Sequence, residues 1–131
     1  MGKQNIPNIK WKELPEEHDY PAANDYLSLI YSPSKCKSIV NELQYAEISH
    51  FKVKDIFRAS GLAILGKENY HVRKNLNKIK NKENMVPLLL VRDSLHGKVV
   101  IADGYHRMCS CYIVNEDELI PCKIVSINKG M

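Results

Sequence analysis

Hydrophobic and polar positions change period several times along this chain, and each change marks an element. From Pro21 to Tyr31, Ala22, Tyr26, Leu27, Leu29 and Ile30 sit near helical spacing, and Pro21 suits a first turn. Ser32-Pro33 restarts the pattern as N-cap and N1, with Cys36, Ile39, Val40 and Leu43 on one face. These two helices form an αα-hairpin. Tyr45 to Phe51 is a candidate strand, and Val53 to Ala59 a short helix that Ser60-Gly61 ends. Tyr70 to Lys80 carries Val72, Leu76 and Ile79 on one face and Arg73, Lys74, Lys78 and Lys80 on the other. Val86 to Val91 is almost uniformly apolar, as expected of a strand covered on both faces, with Pro87 at its start or on an edge. Asp93 to Gly97 turns the chain, and Val99 to Ala102 pairs back as a hairpin partner. A helix over Tyr105 to Val114 buries Met108, Cys111 and Tyr112. After the acidic loop Asn115 to Glu118, Pro121 to Ile127 closes the sheet.

The pattern predicts a mixed α+β fold, a small sheet flanked by helices. One domain spans 1–131, with an N-terminal arm at 1–20, the helical hairpin at 21–44 and the core at 45–131. The only tryptophan, Trp11, is expected to dock the arm together with Leu14, because an exposed indole in so polar a segment would be wasteful. The hydrophobic fraction of 44% in 131 residues supports a core without disulfides.

Charge changes this picture little. Nineteen Lys and Arg against fifteen Asp and Glu give a net charge of +4, and both signs are interspersed. That reads as a solvated surface, so nucleic acid is possible as a partner but not favoured. The hairpin could imitate a helix-turn-helix, yet its second helix offers only Lys35 and Lys37, at its start. Met1 to Ile9 has no apolar leader core, and no run approaches the roughly 18 apolar residues of a membrane span. A reducing, cytoplasmic setting is expected, with Cys36, Cys109, Cys111 and Cys122 as small core residues rather than zinc ligands. No metal site is read from the sequence, and the oligomeric state is left open.

Chemistry concentrates at Asp103-Gly104-Tyr105-His106-Arg107, between the strand and the last helix. Free N–H groups at a helix start favour anions, and Arg107 with His106 can grip a phosphate there. Each residue also has a plainer role. His106 can cap or pack. Arg107 can pair with Asp103 or Glu116, and Tyr105 can stack on a ligand or merely cover the sheet. Asp103 has three roles open, N-cap first, then metal–phosphate bridging or general base. A second group, Asn69, His71 and Arg73, lies far away in the chain. Its basic helix is a solvated surface or an electrostatic rim for an anionic ligand.

The Asp-Gly-Tyr-His-Arg turn resembles the D-G-x-H-R and G-x-H-R turns of the ParB/sulfiredoxin-like superfamily, over roughly Ile48 to Ile127. The resemblance implies that the turn grips nucleotide phosphates, with Gly104, Tyr105, His106 and Arg107 in contact and His71 and Arg73 close by. A nucleoside triphosphate, ATP or CTP, with or without Mg²⁺, would be the cofactor. Phosphoryl or nucleotidyl transfer is the implied chemistry, with Asp103 and His106 as catalytic candidates and Glu68 as a second carboxylate. A sulfiredoxin would carry Cys where Tyr105 stands, so sulfinic acid reduction is not expected. ParB partition proteins follow this fold with a helix-turn-helix domain, which has no counterpart after the closing strand here. The alternative is a non-enzymatic module of the same fold that binds nucleic acid or a protein.

Overall fold

A computed structural model of the protein describes residues 8–127. Eleven elements follow in order: β1 (Lys10–Trp11), α1 (Asp19–Leu27), α2 (Pro33–Tyr45), β2 (Ser49–Lys52), α3 (Val53–Ser60), α4 (Tyr70–Lys80), β3 (Asn84–Met85), β4 (Leu88–Asp93), β5 (Lys98–Asp103), α5 (Tyr105–Val114) and β6 (Leu119–Ser126). The main sheet has the order β2-β6-β4-β5. β4 and β5 are an antiparallel hairpin, while β6 runs parallel to β4 and antiparallel to β2.

The two-residue period of the strands divides the core into two layers. Leu88 and Leu90 of β4, Ile101 of β5, and Ile120 and Cys122 of β6 point to one face. There they meet Val53 and Ile56 of α3, Val72 and Ile79 of α4, and Met108, Cys109 and Cys111 of α5. Leu89, Val91, Val100, Ala102 and Val125 point the other way, against Ala23 and Leu27 of α1 and Cys36, Ile39 and Leu43 of α2. The protein is therefore a mixed α+β fold with helices on both faces of its sheet. This double cover explains why β4 is apolar from Leu88 to Val91. The four cysteines are free and buried.

Local chemistry sets the helix starts. Pro33 opens α2, and the Ser32 hydroxyl accepts from Lys35 N at 3.3 Å. The Asn69 carboxamide oxygen accepts from His71 N at 2.9 Å and Val72 N at 3.1 Å, which fixes the first turn of α4.

Two expectations need correction. Tyr45 does not begin a strand; it is the last residue of α2 and is exposed, because the helix that buries Leu43 continues through it. The strand starts at Ser49. Leu14 does not anchor the arm and is 60% exposed, whereas Ile9 is buried in its place. Trp11 does dock. It packs against the core, and its Nε1 donates to Glu118 Oε2 at 3.2 Å. The arm gains a further hold from a small parallel sheet of β1 and β3, which the sequence pattern does not announce. Residues 1–7, most of the segment read for a leader, lie outside the described residues. Among the described residues, no helix is long and apolar enough to cross a membrane.

Candidate functional site

β5 ends at Asp103 because Gly104 turns the chain in a left-handed conformation, φ 108°, and α5 begins at Tyr105. A β-carbon on Gly104 would lie 2.7 Å from Leu88 Cγ, so both backbone and packing select glycine here. This geometry overturns the N-cap expectation for Asp103. Gly104 holds the N-cap position, and no side chain caps α5. Asp103 still has strand geometry, one residue too early to reach the free N–H groups. Its Oδ2 instead lies 3.3 Å from Arg107 Nη2, so the Asp103 pairing is realised rather than one with Glu116.

α4 lies against α5 and brings the two chain-distant groups together. The buried Ser110 hydroxyl sits 2.9 Å from Val72 O and 3.0 Å from His106 O, so its proton has an acceptor on either helix. Across this contact the His71 and His106 rings approach to 4.9 Å between centroids. They line an open cleft of about 250 Å³ with Lys74, Asn75, Lys78, Asp103, Gly104, Tyr105 and Arg107. Arg73 and Glu68 are exposed and do not line the cleft. Residue 73 projects from a different side of α4 than positions 71, 74, 75 and 78, which share one face by helical spacing. Lys74, Lys78 and Asn75 are thus site residues that the sequence reading did not single out as such. Their i, i+3, i+4, i+7 relation to His71 was the signal for them.

The charges in the cleft are unevenly compensated. Arg107 has a mostly buried side chain, and its Nε is buried without a hydrogen-bond partner among the described residues. Burial raises the Asp103 carboxyl above its usual range, against the opposing pull of Arg107, and Asp19 adds to the rise. Burial lowers the His106 imidazole, and the neighbouring His71 lowers it further. The Tyr105 hydroxyl donates to Ala63 O at 2.6 Å, so it ties the loop after α3 to the turn. Cys109 is not a nucleophile in waiting. It is buried, its Sγ accepts from Leu65 N at 3.4 Å, and burial raises its thiol pKa.

Two lysines, one arginine and two imidazoles thus face a small polar cleft with a single carboxylate. That donor set suits an anion. It does not match a protein-built magnesium site: among the described residues Asp103 is the only carboxylate of the lining, and it is already engaged by Arg107. Among the described residues no group of three or more His, Cys, Asp or Glu is arranged to hold a metal ion.

No family model, curated protein or solved structure matches this chain.

Proposed function

We propose that this protein binds a phosphate-bearing ligand, a nucleotide above others, in the cleft between α4 and the β5–α5 turn. One observation carries the reading: Lys74, Lys78 and His71 of α4 converge with His106 and Arg107 of α5 on one cleft, where Arg107 Nε has no hydrogen-bond partner among the described residues. Two lysines and an arginine around a concave site, with imidazole donors beside them, favour a polyanion. The resemblance of Asp103 to Arg107 to a ParB/sulfiredoxin-like turn supports the same ligand class. Any magnesium would arrive with the nucleotide phosphates, since the described lining of the cleft offers it a single carboxylate, Asp103.

Phosphoryl or nucleotidyl transfer is the fuller form of this reading. His106 is the group best placed for it. An imidazole with a lowered pKa is neutral near pH 7 and can accept a proton from an attacking hydroxyl. Asp103 is less suited to proton transfer, because Arg107 holds its carboxylate.

Calorimetric titration with ATP, CTP and inorganic tripolyphosphate, with and without Mg²⁺, tests the binding. Phosphorus NMR of the same mixtures reports turnover. We expect saturable binding that falls with added salt and is weakened in Lys74→Ala/Lys78→Ala. No binding of any of the three at millimolar concentration sinks the reading and leaves a nucleic-acid- or protein-binding module in its place.

A further inference from the structure

A second cavity adjoins the cleft. It encloses about 480 Å³ and has Asp103, Gly104, Tyr105 and His106 in common with the cleft. Its remaining lining is Ala22 and Tyr26 of α1, Leu62 after α3, and Ile101 and Ala102 of β5. The cleft is lined by cations, whereas this part is apolar.

Tyr26 and Leu62 are 42% and 39% exposed. Neither belongs to the two packed core layers or to the side chains packed on them. Both border this cavity. The same cavity takes in Ile101 and Ala102 of β5, the terminal strand of the sheet order. An edge strand directs half of its backbone N–H and C=O groups away from its partner. The cavity therefore combines an aromatic ring, an aliphatic wall and backbone donors and acceptors, next to a cationic cleft. A flat heterocycle with hydrogen-bonding edges matches all three.

We propose that the Tyr26–Leu62 cavity is a nucleobase subsite, with the base and ribose beside the β5 edge and the phosphates in the cleft. The inference rests on the phosphate reading above and goes beyond it. It makes the ligand a nucleoside polyphosphate rather than inorganic phosphate or a sugar phosphate, and it gives α1 a part in specificity. Asp103 to His106 form the boundary over which base and phosphates are joined. Tyr26 contributes its ring face, so Tyr26→Phe preserves the subsite and Tyr26→Ala removes it. Leu62→Ser removes an aliphatic part of the wall.

The test titrates ATP, CTP and tripolyphosphate into wild type, Tyr26→Ala, Tyr26→Phe and Leu62→Ser. Tyr26 and Leu62 are partly exposed, and circular dichroism with melting curves confirms that the variants are folded. Wild type should bind at least one nucleoside triphosphate more tightly than tripolyphosphate. Tyr26→Ala should weaken the nucleotide roughly 5- to 100-fold, the range of one lost base-stacking contact. The same variant should leave tripolyphosphate unchanged, and Tyr26→Phe should bind the nucleotide like wild type. Equal affinity of wild type for nucleotide and tripolyphosphate overturns the subsite while the phosphate reading stands. So does an equal loss of both ligands in Tyr26→Ala. Absence of binding by nucleotides and tripolyphosphate alike overturns both.

Discussion

His71 and His106 are each the second residue of a helix, and their rings face each other 4.9 Å apart at 48°. Burial lowers the His106 imidazole, and the neighbouring His71 lowers it further. His106 should therefore titrate below its ordinary 6.5 in the native protein. Proton NMR of the ring hydrogens reads this directly. In His71→Asn the midpoint should rise, but not fully to the ordinary value, because burial is the larger cause. A depressed imidazole favours folding while it is neutral, so this contribution is present above about pH 6.5 and is lost as the pH falls. A His106 midpoint unmoved by His71→Asn would show that the rings are not coupled.

Asp103 behaves in the opposite sense. Its folded-state pKa is raised chiefly by burial. The native form then holds its proton more firmly than the unfolded chain does, so stability drops as pH rises through the raised value. Asp103→Asn lacks this loss. The melting temperature of Asp103→Asn minus that of wild type should be more positive at pH 7 than near pH 4. A difference that is constant with pH, or that runs the other way, contradicts the burial of this carboxyl.

Gly104→Val should destabilise the fold by about 1–3 kcal/mol, from the left-handed backbone alone. Its β-carbon would also press on Leu88 Cγ and, at 3.2 Å, on Arg107 Nη2. Urea unfolding measures the first effect and nucleotide titration the second. Unchanged stability would mean that the turn accepts a different backbone from the one described.

Arg107→Ala should weaken nucleotide binding roughly ten- to a hundredfold, the worth of one hydrogen bond to a charged group. Arg107→Lys should recover part of this, since it keeps the charge but not the forked donors. His106→Ala should cost less at high pH, where imidazole offers only a neutral donor. The Arg107 effect should shrink with added salt. Isothermal titration at two ionic strengths and two pH values checks all four, and an Arg107→Ala protein that binds like wild type moves the phosphates elsewhere.

Much of the fold was legible because its signals are local. α4 runs Tyr70–Lys80 as expected, since Asn69 caps it and Val72, Leu76 and Ile79 keep its period. α2 begins where Ser32-Pro33 places it. The Asp103-Gly104 break was visible for the same reason. The meeting of His71 with His106 was not, because it depends on how α4 packs on α5, through Ser110 and Val72, which lie 38 residues apart. The N-cap role of Asp103 failed on one dihedral angle: residue type marks a helix start, but the left-handed Gly104 shifts it by one position. β1 and β3 are two residues each, too short for any period to register.

The strand order also governs how the sheet can be completed as the chain is synthesised. β6 lies between β2 and β4, yet it is the last described element to leave the ribosome. Until it does, β2 has no neighbour in this sheet and β4 has only β5. Each then presents an edge of unsatisfied backbone groups to whatever is near. Inserting β6 joins residues 49–52 to residues 119–122 in one step, a closure over more than half the chain and so a slow one.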